Sequence, residues 1–178
     1  MNEFSQYIKI IGRGKRAGRY LTQEEAYRAF TLLLSGRVAP EQIGAFLMLL
    51  RVREESEAEL AGFVQASRAF IPETISNLRP DLDLGCYAGK RRHLPWFVLA
   101  VLCLVQDGRK VFLHGTEEPD SNRLYLSRVF AELKLPVAQE AEECQALLAH
   151  HGLVYCSLSQ CNPALDHQIQ LRRLFALR

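Results

Sequence analysis

Two glycine-bearing segments carry the residues most able to do chemistry. The first, Ile11-Gly12-Arg13-Gly14-Lys15-Arg16-Ala17-Gly18-Arg19-Tyr20, is basic, and no acid falls between Glu3 and Glu24. Glycine lets a backbone approach a polyanion closely, while Arg and Lys neutralise phosphates and release counterions, giving sequence-independent, salt-sensitive attraction. Tyr20 adds a ring able to stack on a base. The second segment, Gly85-Cys86-Tyr87-Ala88-Gly89-Lys90, runs on into Arg91, Arg92 and His93. Backbone N–H groups bent by glycines, with a nearby Lys and a following helix N-terminus, make a workable phosphate site. A plain strand-to-helix turn explains two glycines as well, and a solvated charge run explains the cations. Arg13, Lys15, Arg16, Arg19, Lys90, Arg91 and Arg92 are the candidates for contact with nucleic acid.

Other reactive residue types lack a spacing that implies chemistry. The five cysteines (Cys86, Cys103, Cys144, Cys156, Cys161) show no C-x-x-C pair, and His150, His151 and His167 supply no H-x-x-x-H, so reduced thiols and no metal site are expected. His114 reads as a loop-shaping residue. The His150-His151 pair reads as the last turn of a helix, whose dipole favours positive charge there. Neither has an acid and a nucleophile at hydrolase spacing, and no catalytic residue is assigned.

These segments must be positioned by a chain of 178 residues, 48% hydrophobic, with a net charge of +2, long enough for one sizeable core or a small lobe beside a second domain. The longest apolar stretch, Leu94 to Gln106, is too short to span a membrane. No basic start followed by an apolar segment is present, so a cytoplasmic protein is expected. The first seventy residues read as four helices. Phe4, Tyr7, Ile8 and Ile11 share one face; Thr22 with Glu25 is a capping box opening a second helix that ends at Gly36. Pro40 suits a first helical position before Ile43, Phe46, Leu47 and Leu50; a second capping box, Ser56 with Glu59, opens a helix stopped by Pro72.

From Asp81 the pattern changes to short apolar runs, Leu82 to Leu84, Val111 to Leu113 and Leu153 to Ser157. They alternate with helical stretches at Pro95 to Gln106, Ser121 to Leu133 and Glu140 to His150. Strands joined by helices imply a parallel sheet covered on both faces. The expected organisation is an α/β protein with a helical domain over 1–71, a linker over 72–80 and a partial α/β domain over 81–178.

This order of parts resembles glycosyltransferase family 3, the anthranilate phosphoribosyltransferases and pyrimidine nucleoside phosphorylases. A helical lobe, a strand ending in a Gly-rich loop, a strand ending in His-Gly, and Pro-Ala followed by Arg-Arg occur in family order. In that family the Gly-rich loop reads Gly-Thr-Gly-Gly-Asp and holds the pyrophosphate of phosphoribosyl pyrophosphate. Here Gly85 and a shifted Gly89 remain, with no acid after them. The family's Lys-His-Gly-Asn is similar to Leu113-His114-Gly115-Thr116, and its His-Pro-Ala to Asn162-Pro163-Ala164. Arg172 matches the position that contacts the anthranilate carboxylate. Arg178 matches a point upstream of the acidic pair that holds magnesium. The resemblance therefore implies either of two functions. One is a transferase in which Gly85, Gly89, Lys90, His114 and Gly115 bind the donor, Arg172 the acceptor, and Mg²⁺ is needed. The other, favoured by the eroded donor loop, is a non-catalytic relative without cofactor. Ile11 to Lys15 is similar to the Ile-Gly-Arg-Gly-Lys start of a subfamily of paralogues associated with nucleic-acid binding. The family resemblance also implies a homodimer formed through the helical domain.

Overall fold

The computed structural model describes residues 3–14, 17–118, 122–171 and 174. They divide into two compact units, one built from the residues up to Phe70 together with Leu171, the other from Ile71–Gln170.

The first unit is helical: α1 (Ser5–Ile11), α2 (Gln23–Leu34), α3 (Pro40–Arg53) and α4 (Glu57–Ala69). Both capping boxes form. Thr22 accepts from the Glu25 amide and Glu25 accepts from the Thr22 amide, and Ser56 and Glu59 do the same at α4. Each cap satisfies amides that the first helical turn leaves without partners, a contribution of about 1 kcal/mol. Pro40 sits at the start of α3, as its fixed φ favours. The apolar faces converge on Phe4, Tyr7, Leu33 and Phe46, with Phe4 edge-on to Phe46 at 5.2 Å between ring centres. Helices α2 and α4 pack closely because Gly62 has no side chain. A Cβ there would meet the Gln23 carbonyl and lie 2.8 Å from the Ala26 Cβ.

The second unit holds a four-stranded, wholly parallel sheet in the order β1-β2-β4-β3. Its strands are β1 (Leu82–Gly85), β2 (Val111–Gly115), β3 (Val137–Ala138) and β4 (Leu153–Ser157). Side chains alternate across β2 and β4. Phe112, Val154 and Cys156 enter one core with α5 (Glu73–Ser76) and α8 (Glu143–His151), while Val111, Leu113, Leu153 and Tyr155 enter another with α6 (Phe97–Gln106) and α7 (Leu126–Glu132). Both faces are covered, as a parallel sheet requires. Two short helices, α9 (Leu158–Cys161) and α10 (Pro163–Leu171), follow β4. Strand β1 lies at one edge of the sheet.

Three features differ from the sequence expectation. The segment 72–80 is not an extended linker: it carries α5, and Ile75 and Leu78 are buried in the core of the second unit. Strand β3 is an addition to the expected strands, since two residues have no periodicity to read. Helix α7 begins at Leu126 because Leu124 is held in an antiparallel bridge with Lys90 and Tyr125 is extended, while Ser121, the expected start of this helical stretch, lies outside the described residues.

Candidate functional site

The carboxyl ends of parallel strands all open on one edge of a sheet, and Gly85, Gly115 and Ser157 stand there together. The loop leaving β1 is tied to β2 from its first residue. The Cys86 amide donates to the His114 carbonyl at 2.6 Å, and the Cys86 carbonyl lies against Gly115 where any Cβ would collide with it. Tyr87 folds back over Gly85, whose Cβ would stand 2.8 Å from the ring. The Tyr87 hydroxyl is 2.7 Å from His114 Nδ1, and His114 Nε2 is 3.1 Å from Asp83 Oδ1. Burial pushes the His114 pKa below its ordinary value, against the opposing pull of Asp83. A neutral imidazole satisfies both partners in one tautomer: Nε2–H donates to Asp83 and Nδ1 accepts from Tyr87. That tautomer is assigned from the hydrogen-bond network.

An acid, a histidine and a hydroxyl in line invite comparison with a catalytic relay, but the chemistry runs against it. Burial raises the Tyr87 phenol well above its usual range, and an activated nucleophile needs the opposite. The array locks the loop onto β2. In the sequence His114 stands apart from these partners, which come from β1 and the loop that leaves it.

The rest of the loop is held just as firmly. Lys90 and Leu124 exchange backbone hydrogen bonds of 2.8 Å in both directions, and Arg123 Nη1 donates to the Gly89 carbonyl at 3.2 Å. Gly89 is required by this contact, since its Cβ would lie 2.7 Å from that of Arg123. Between the loop and α6 opens a cavity of about 430 Å³, walled by Leu84, Cys86, Tyr87, Phe97 and Leu126, with Lys90 the sole charged residue of its lining. Lys90, Arg91 and Arg92 are exposed, and none has an ion-pair partner among the described residues.

The basic segment after α1 belongs to the helical unit. Arg13 is exposed beside Gly14, whose φ of 78° suits glycine, whereas Lys15 and Arg16 lie outside the described residues. Arg19 is not a free cation. Its guanidinium clamps Glu25 through two hydrogen bonds of 2.7 Å, and this clamp draws the Glu25 pKa down to about 2. Tyr20 carries the Arg53 guanidinium 4.4 Å above its ring, so that face is not open to a base. Arg53 also pairs with Glu59 at 2.5 Å, and Glu59 accepts from the Leu21 amide at 2.9 Å, anchoring the end of the basic segment to α4.

Thr116 is buried and bonded to Asp166 Oδ1 at 2.9 Å and to Gln170 Nε2 at 3.1 Å. Asn162 accepts from the Leu165 amide at the start of α10. Arg172 lies outside the described residues. Among the described residues, no three His, Cys, Asp or Glu side chains gather as a metal site, and no helix is long and apolar enough to cross a membrane. All five cysteines are free thiols, with Cys144, Cys156 and Cys161 buried.

Residues 6–71 match the model of the glycosyl transferase family, helical bundle domain. The chain is 35% identical over 161 residues to the anthranilate phosphoribosyltransferase of Methylocella silvestris, covering 86% of this chain and 44% of that protein. It is 28% identical over 181 residues to the uncharacterized protein YbiB of Escherichia coli (strain K12), covering 99% of this chain and 55% of that protein. The crystal structure of anthranilate phosphoribosyltransferase from Thermus thermophilus matches with a TM-score of 0.74 at 24% identity, over 100% of this chain and 52% of that one. The chain thus spans about half the length of the relatives it matches. The helical unit matches that domain model, and the fold of the chain, a helical domain followed by a parallel α/β domain, is that of the corresponding half of the Thermus thermophilus structure.

Proposed function

We propose that the chain puts a phosphoribosyltransferase-type scaffold to use as a nucleic-acid-binding surface, without catalysing phosphoribosyl transfer. The observation that carries this reading is the state of the loop after β1. Lys90, Arg91 and Arg92 project from backbone pinned at Lys90, repel one another and have no carboxylate paired with them among the described residues. A polyanion relieves that repulsion and is attracted by it. The groups that would cradle a sugar pyrophosphate are meanwhile turned inward. The Cys86 amide serves His114, the Lys90 amide serves Leu124, and Tyr87 covers Gly85. Arg13 supplies a further exposed cation from the helical unit, and the likeness of Ile11 to Lys15 to nucleic-acid-binding paralogues supports the same reading.

The test is fluorescence anisotropy of labelled oligonucleotides titrated with the chain at two salt concentrations. Binding is expected to weaken steeply with salt. Replacing Lys90, Arg91 and Arg92 with Ala is expected to flatten the log–log salt slope by roughly 0.7 to 0.9 for every phosphate that the loop no longer neutralises. An unchanged slope would remove this loop from the interface, and absence of binding at low salt would overturn the reading.

A second reading is supported by the similarity to anthranilate phosphoribosyltransferases. In it Gly85, Gly89, Lys90, His114 and Gly115 hold phosphoribosyl pyrophosphate, and Arg172 orients the acceptor. Mg²⁺ would offset the charge of the leaving pyrophosphate, but the cavity lining has no carboxylate to hold that ion. Magnesium-dependent consumption of phosphoribosyl pyrophosphate in the presence of anthranilate would establish this reading over the first.

A further inference from the structure

We infer that the loop after β1 is built for single-stranded nucleic acid, with Trp96 as a stacking platform for an unpaired base; the inference rests on the nucleic-acid reading above. The cations of this loop run on into apolar residues, Lys90-Arg91-Arg92-His93-Leu94-Pro95-Trp96-Phe97, of which Leu94, Trp96 and Phe97 are exposed. Trp96 is 65% exposed and Phe97 36%. Most of this large indole is left in water, yet its backbone is fixed. The Trp96 amide donates to the Leu94 carbonyl at 2.9 Å, and its carbonyl accepts from the Leu99 amide at 3.0 Å. The ring is thus presented from ordered chain, which reduces the entropy cost when a partner stacks on it.

The neighbourhood selects the partner. Phe97 and Tyr87 both line the cavity of about 430 Å³, and Lys90 is the one charge in that lining. An apolar, aromatic-walled recess with Lys90 in its lining, Arg91 and Arg92 next in sequence and no carboxylate fits a planar base attached to a phosphodiester. Positive residues track the backbone while rings take the base faces, the pattern by which single strands are held. In a duplex those faces are stacked on one another, so Trp96 has nothing to stack on. An acidic peptide would satisfy Lys90 to Arg92 but leave the rings and the recess without a matching group.

Trp96 is the sole tryptophan, so its emission reports on this site alone. The full chain would be titrated with labelled oligo(dT) and with a duplex of equal length at the same salt, following label anisotropy and tryptophan emission together. The single strand is expected to bind about tenfold more tightly than the duplex and to quench the emission. Trp96→Ala should remove most of that preference while leaving duplex binding unchanged, and Trp96→Phe should restore it in part. Equal binding of both forms with no change in emission would overturn the stacking inference and leave the nucleic-acid reading standing. No binding of either at low salt would overturn both.

Discussion

Glu59 shows how one buried residue can decide the behaviour of a segment distant in sequence. It is fully buried, with Arg53 at 2.5 Å and the Leu21 and Ser56 amides at 2.9 Å each. Burial raises its pKa, but the Arg53 guanidinium and the two amides outweigh burial, and the net direction is down. A carboxyl whose folded pKa lies below its unfolded one adds stability above the unfolded value, near 4.5. That stability is lost as the pH falls through the folded value. Glu25, drawn to about 2 by Arg19, contributes over the same acid window. Glu59→Gln is therefore expected to cost about 3 kcal/mol at neutral pH, because the half-buried Arg53 loses its counter-charge. The deficit should shrink as the pH falls below the unfolded value, and urea unfolding at neutral pH and in mild acid measures both effects. His114 offers a second titration. The Tyr87 hydroxyl donates to Nδ1, the site a proton would take, so Tyr87→Phe is expected to raise the His114 pKa, read by NMR titration of its ring protons. Neither partnership was legible in the sequence, where Glu59 is visible as a capping residue and His114 as a loop histidine. Their other partners arrive through the fold.

Elements were legible where their signals are local. The two capping boxes join residues three apart, and Pro40 acts on its own helix, so α2, α3 and α4 form where their sequences place them. The longer strands β2 and β4 announce themselves as apolar runs. Where a distant backbone competes, the local signal is insufficient: the Lys90 bridge delays α7, and the core of the second unit captures Ile75 and Leu78. The candidate site divides in the same way. Its cations and glycines could be read from spacing, whereas the pairing of Arg19 with Glu25 and the inward turn of Tyr87 required the folded chain. The exposure of Trp96 had one faint signal, three cations followed closely by an aromatic pair. Gly62 is a similar case, an ordinary helical glycine until α2 is packed against it. Gly62→Ala would gain intrinsic helix propensity in isolation. Here the added methyl meets the Gln23 carbonyl and the Ala26 side chain, and the expected net outcome is destabilisation by about 1–3 kcal/mol. Thermal unfolding of the variant checks the sign.

At the scale of the whole molecule, the expected homodimer makes a prediction about affinity. The helical unit carries Leu60 and Val64, each 50% exposed and one turn apart on α4, with Val52 79% exposed near the end of α3. Apolar residues one turn apart share a helix face, and burial of that face between two copies would be favourable. A dimer presents two basic loops to one polyanion, and the second contact then forms at a high effective concentration. Leu60→Lys with Val64→Lys is expected to lower the sedimenting mass from dimer to monomer. It should weaken binding of a long oligonucleotide that spans both loops, while a short one that reaches only one loop binds as before. The two interactions also respond oppositely to salt: apolar association persists as salt rises, whereas phosphate contacts weaken. Sedimentation velocity and anisotropy on the same samples at two salt concentrations would therefore separate them. An equal change in short and long binding in the double variant would exclude bivalency as the source of affinity.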